Sequence, residues 1–118
     1  VAEVFVFGSN LAGIHGKGAA LHAREVYGAV LGVGVGRTGN AYAIPTKDAR
    51  LRTLPLSDIA HHLFVFADYA RGQKDDLFLL TPIGCGLAGY SQKQIRPLVD
   101  IVRIPPNVKL THHWDVAP

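Results

Sequence analysis

The stretch Leu79-Leu80-Thr81-Pro82-Ile83-Gly84-Cys85-Gly86-Leu87-Ala88-Gly89-Tyr90 sets the strongest constraint on the fold. An apolar run breaks there into three glycines spaced two and three apart. A buried strand that leaves into such a loop presents backbone N–H groups that no side chain shields. Val4-Phe5-Val6-Phe7 ends in a similar way, in Gly8-Ser9-Asn10 and then His15-Gly16-Lys17-Gly18-Ala19-Ala20. Two strands that each exit into a glycine-rich loop point to an α/β sheet with a phosphate-bearing small molecule at its strand ends.

The remaining elements follow from apolar spacing. Residues 4–7 form a short buried strand, and 18–27 a helix stopped at Gly28. Residues 29–31 are expected to be a short extended piece. Gly32, Gly34, Gly36 and Gly39 then form a connector, either a hairpin or a mobile loop. A strand over 41–46 ends near Pro45. Ser57 is expected to cap a helix that carries Asp58 in its first turn and ends near Gly72. A strand over 77–81 follows, then a helix capped by Ser91, and a last strand over 108–111. The alternation β-α-β-α-β-α-β predicts an α/β domain with helices on the sheet faces.

At 118 residues, 48% hydrophobic and 18% charged, the chain is read as one domain, 1–118, able to bury a core. The formal charge is +3, with lysines and arginines scattered rather than clustered. That leaves a nucleic-acid surface open without indicating one. The single cysteine, Cys85, excludes an intramolecular disulfide. No run of about 18 apolar residues suggests a membrane span, and no signal peptide is visible. Val1 opens a chain without methionine, so the numbering is expected to start after a processed or trimmed N-terminus. Cytoplasmic residence is the default expectation.

Several residues are candidates for chemistry. Gly16-Lys17-Gly18 before a helix allows a phosphate to approach the helix N-terminus, although Leu21 replaces the third glycine of a dinucleotide fingerprint. The same glycines would also suit a tight turn. Asn10 offers an amide for a ribose or base edge. His15 either touches ligand or is a surface loop histidine. Lys47 and Asp48, after Thr46, pair a cation with a potential general base, or are simply an exposed ion pair. Cys85 reads better as a small inert thiol than as a nucleophile. Tyr90 either closes over a ligand ring or packs on its own loop. The histidines lack metal-ligand spacing, so no metal site and no cofactor are expected.

Three segments occur in an order that resembles the macro domain superfamily, which binds ADP-ribose. They are Gly8-Ser9-Asn10 with His15 to Ala20, Tyr42-Ala43-Ile44-Pro45-Thr46-Lys47, and Thr81 to Gly89. The likeness is greatest to short phage- and bacteria-associated macro-like proteins and to the branch containing terminal ADP-ribose protein glycohydrolase. It covers about residues 4 to 100. The resemblance implies a three-layer α/β/α sandwich with a mixed sheet. It also implies an ADP-ribose or ADP-ribosylated macromolecule as partner. Gly8, Ser9, Asn10, His15, Gly16, Lys17, Gly18 and Ala19 are candidate ligand contacts, and the loop from Gly16 to Ala20 would lie near the distal ribose. Thr46 would lie at the middle strand end. Gly84, Cys85, Gly86, Leu87, Ala88, Gly89 and Tyr90 would wrap the diphosphate. Lys47 matches the lysine that, in the glycohydrolase branch, attacks the distal ribose C1″ and forms a covalent intermediate. Two departures stand out. Ala88 occupies the place of that branch's catalytic Asp, for which Asp48 is the candidate substitute. The usual N-terminal Gly-Asp-Leu/Ile segment, whose acid contacts adenine, is missing. The expected function is hydrolytic release of ADP-ribose, with a non-catalytic ADP-ribose reader or nucleotide-sequestering protein as the alternative.

Overall fold

The computed structural model describes residues 1–115. The elements run β1 (Glu3–Asn10), α1 (Gly18–Val26), β2 (Gly36–Thr38), β3 (Ala41–Lys47), α2 (Leu56–Arg71), β4 (Leu77–Leu80), α3 (Gln92–Ile101) and β5 (Val108–Leu110). The strands form one sheet in the order β2-β3-β1-β4-β5. β1 is parallel to β3 and β4, and β4 to β5, while β2 is antiparallel to β3. The sheet is therefore mixed, with its parallel strands linked by helical crossovers.

The two-residue period of the strands sorts the core into two faces. Val4, Val6, Tyr42, Ile44, Phe78 and Leu80 point to one side and meet Ile59, Leu63 and Phe66 of α2 and Ile95 and Val99 of α3. Phe5, Phe7, Ala41 and Ala43 point to the other side and meet Ala20 and Ala23 of α1. Three layers result, with two helices on one face and one on the other. Alanines on α1 let that short helix sit close against the two phenylalanines. The α2 face is built from larger side chains. Each aliphatic or aromatic residue fully buried there contributes about 1.5–3 kcal/mol.

Several local expectations change. Residues 29–31 form no strand; the extra strand is Gly36–Thr38, which turns at Gly39-Asn40 into β3. The glycine connector is half hairpin, and its first half packs its backbone against the first loop. A Cβ on Gly13 would collide with the backbone of Gly32 and Val33, and one on Gly34 with the Asn10 carbonyl. The N–H of Gly32 donates to the Gly13 carbonyl at 2.8 Å. Ser57 does not cap α2, because the helix begins at Leu56 with Pro55 before it and no side-chain cap. Ser91 does cap α3, in a reciprocal capping box with Gln94. Pro45 is tolerated inside a central strand because β2 pairs only with residues 41–43 of β3. Among the described residues no helix is long and apolar enough to cross a membrane.

Candidate functional site

Parallel pairing aligns the C-terminal ends of β1, β3 and β4 on one edge, where Asn10 stands opposite Lys47. The loops that leave these ends enclose a cavity of about 1010 Å³. Its size suits a small organic ligand.

The first loop joins β1 to α1. The Asn10 side chain closes this loop on itself, its Oδ1 accepting from the Ile14 N–H at 3.0 Å and its Nδ2 donating to the Ile14 carbonyl at 2.9 Å. Asn10 lines the cavity, but its amide is already engaged. The Ser9 hydroxyl donates to the Gly34 carbonyl. Gly8, Gly16, Lys17, Gly18 and Ala19 also line the cavity. Lys17 precedes α1 without supplying a side-chain cap, so the first-turn N–H groups lack one.

His15 departs from its expected place on a surface or against a ligand. It is fully buried, packed edge-on against Phe7 and outside the cavity lining. Its Nε2 meets the Val33 carbonyl at 3.2 Å, whereas Nδ1 has no partner among the described residues. Burial holds the His15 pKa below the ordinary imidazole value; the Val33 carbonyl opposes this effect and Arg24 adds to it. A neutral ring with its proton on Nε2 fits these contacts. His15 therefore braces the loop from behind.

The second loop leaves β4. Gly84, Cys85, Gly86, Leu87 and Ala88 line the cavity together with Thr81, Pro82 and Ile83. Gly89 and Tyr90 do not. The Gly89 N–H donates to Gly86 O at 3.0 Å to close a turn. The Tyr90 hydroxyl donates to the Leu54 carbonyl at 2.7 Å, so this ring anchors the loop instead of covering a ligand. The Cys85 thiol is half-buried and lies 3.5 Å from the Ile83 carbonyl. Burial, and secondarily the Asp115 charge, pushes its pKa up, which keeps it a thiol.

At the end of β3 the Thr46 hydroxyl is buried and donates to the Ser9 carbonyl at 3.2 Å, knitting the two strand ends. Lys47 lines the cavity beside it. Asp48 does not, which corrects its candidacy as an acid–base group. Its Oδ1 accepts from the backbone N–H groups of Arg50 at 2.8 Å and Arg52 at 2.9 Å, and its Oδ2 from Arg52 Nε at 3.1 Å. The Arg52 N–H, helped by the Arg50 N–H and the Arg52 guanidinium against a desolvation cost, holds the Asp48 carboxyl below its usual range.

Lys17 and Lys47 line the cavity, as do His22 and His113, and among the described residues no Asp or Glu does. Sequence reading missed Gln92 and His113, which reach the wall from the start of α3 and from beyond β5. Nothing in their local sequence signals that position. It also missed Phe5 and His22, which read simply as part of a buried strand and a helix. Among the described residues, no group of three or more His, Cys, Asp or Glu side chains is placed to hold a metal ion.

No protein-family model matches the chain, and no curated protein matches it either. Solved structures do. The macrodomain of Mycobacterium tuberculosis DarG is 22% identical, with a TM-score of 0.67 over 91% of this chain and 85% of that one. A protein of unknown function from Bacteroides thetaiotaomicron is 16% identical, with a TM-score of 0.66 over 92% and 85%. The chain thus has a macrodomain-like fold, as the three ordered segments imply.

Proposed function

We propose that this chain acts as a single macro-like domain that binds ADP-ribose or a closely related NAD-derived nucleotide. The diphosphate lies between the loops 16–19 and 84–88, and the distal ribose lies beside Lys47. One observation carries the reading. Gly16 and Gly86 line the cavity, neither has a left-handed backbone, and a Cβ on either would meet no atom within 4 Å. The fold does not require a glycine at either place. A ligand whose phosphates approach bare backbone does. Lys17, Lys47 and the N-terminus of α1 suit a dianion, and among the described residues no carboxylate in the lining opposes one. The shared fold with the DarG macrodomain supports the same reading. The exposed His22 ring, 5.2 Å from the buried Phe5 ring in the lining, offers a surface for the base. Calorimetry with ADP-ribose, AMP and NAD tests the proposal: ADP-ribose binds tightest, and AMP, lacking the second phosphate and sugar, binds weakest.

Hydrolysis is a second reading, favoured by the presence of Lys47 in the lining. Its free amine would attack C1″ of the distal ribose, forming a C–N bond as the bond to the modified macromolecule breaks. The departing group takes a proton from water. Water then attacks C1″ of the adduct and releases ADP-ribose and the lysine amine. Borohydride applied during turnover traps the ring-opened imine form of the adduct. Binding without cleavage and without a trapped adduct identifies a reader.

A further inference from the structure

The turn between β3 and α2 holds a leucine in an unfavourable conformation. Leu51 has a left-handed backbone, with φ of 62°. A Cβ makes that region costly, and such strain persists only where the surroundings over-determine it. Here Asp48 does so. Its carboxylate takes the three hydrogen bonds described above, its N–H donates to the Arg52 carbonyl at 2.8 Å, and its carbonyl accepts from the Leu51 N–H at 3.0 Å.

The core makes no use of the Leu51 side chain, which is 46% exposed and belongs to neither hydrophobic cluster. It lines the cavity instead, as do the exposed side chains of Ile14 on the first loop and Leu87 on the second. Three loops thus each place one exposed branched apolar side chain at the cavity, whose wall also carries Lys17, Lys47 and glycine backbone. The turn is also tied to the cavity edge. A bridge between Lys47 and Thr53 folds it back on the end of β3, and the Thr53 hydroxyl donates to the Ala88 carbonyl at 2.9 Å.

We propose that Leu51 is an apolar clamp that closes on the C–H face of the distal ribose beside Lys47, and that Asp48 is the positioning residue that fixes the turn. This rests on the ADP-ribose reading above. Covering the ribose face buries apolar surface and keeps water from the Lys47 side of the ligand.

The test compares ADP-ribose with ADP, which lacks the distal ribose. Leu51→Gly removes both the strain and the clamp. Its thermal midpoint is expected to rise by a few degrees. Its affinity for ADP-ribose is expected to fall about fivefold relative to ADP. Asp48→Ala in the parent should weaken ADP-ribose in the same way, but add no further loss in the Leu51→Gly background. An unchanged ADP-ribose to ADP ratio in Leu51→Gly overturns the clamp, and independent, additive losses overturn the role of Asp48. A parent protein that binds neither nucleotide overturns the site reading itself, which is a distinguishable result.

Discussion

Gly86 and His15 show how differently single residues in these loops act. At Gly86 nothing in the protein occupies the space a side chain would take. Gly86→Val is therefore expected to leave the thermal midpoint nearly unchanged while weakening ADP-ribose at least about tenfold, because a β-branched side chain fills the phosphate approach. Differential scanning together with calorimetry checks both halves. Cys85→Ser should retain most binding, since a half-buried, protonated thiol offers the ligand no charge. His15 acts through the fold. Its folded pKa lies below the unfolded value, so the unfolded chain binds more protons below about pH 6.5. Its contribution to stability is complete above that pH and is lost as pH falls through the folded pKa. Urea midpoints between pH 7 and 5 should fall less steeply in His15→Gln than in the parent. The glycines were legible in the sequence because bare backbone at a strand exit is a local property. The place of His15 was not, because its contact, Val33, lies eighteen residues further on. Asp48 was misread for another reason: a Lys–Asp pair does not reveal that the next four residues turn back to occupy the carboxylate.

At the scale of elements, the sequence announces what its own side chains complete. Ser91 and Gln94 satisfy each other's orphan N–H groups, so the start of α3 is written in four residues. Ser91→Ala should cost about 1 kcal/mol, whereas Ser57→Ala should cost less than about 0.5 kcal/mol, because Ser57 caps nothing. Chemical denaturation of the two variants separates them. β2 was only half legible, because the glycine connector allowed a hairpin without marking its strand. Three residues hold no pattern, and the strand exists because β3 pairs with it and because Arg37 reaches Asp76 at 2.7 Å across the molecule. That guanidinium, with the Ala2 N–H behind it, holds the Asp76 carboxyl below its ordinary range.

For the whole molecule, the layered plan was readable because apolar periods of two and of three to four residues alternate along the chain, and parallel strands need helical crossovers. The cavity wall was only half readable. The strand-end loops carry their own signatures, while Gln92, His113 and the Phe5–His22 surface arrive there through tertiary folding alone. The two glycine loops and the lysines of this edge form the ADP-ribose site proposed above, on which every binding prediction depends. Calorimetric titration of ADP-ribose into the parent and into Gly86→Val tests it most directly. The expected result is saturable one-site binding to the parent that weakens as salt rises and is largely lost in the folded variant. Absence of binding to the parent, or equal binding to both proteins, would contradict it.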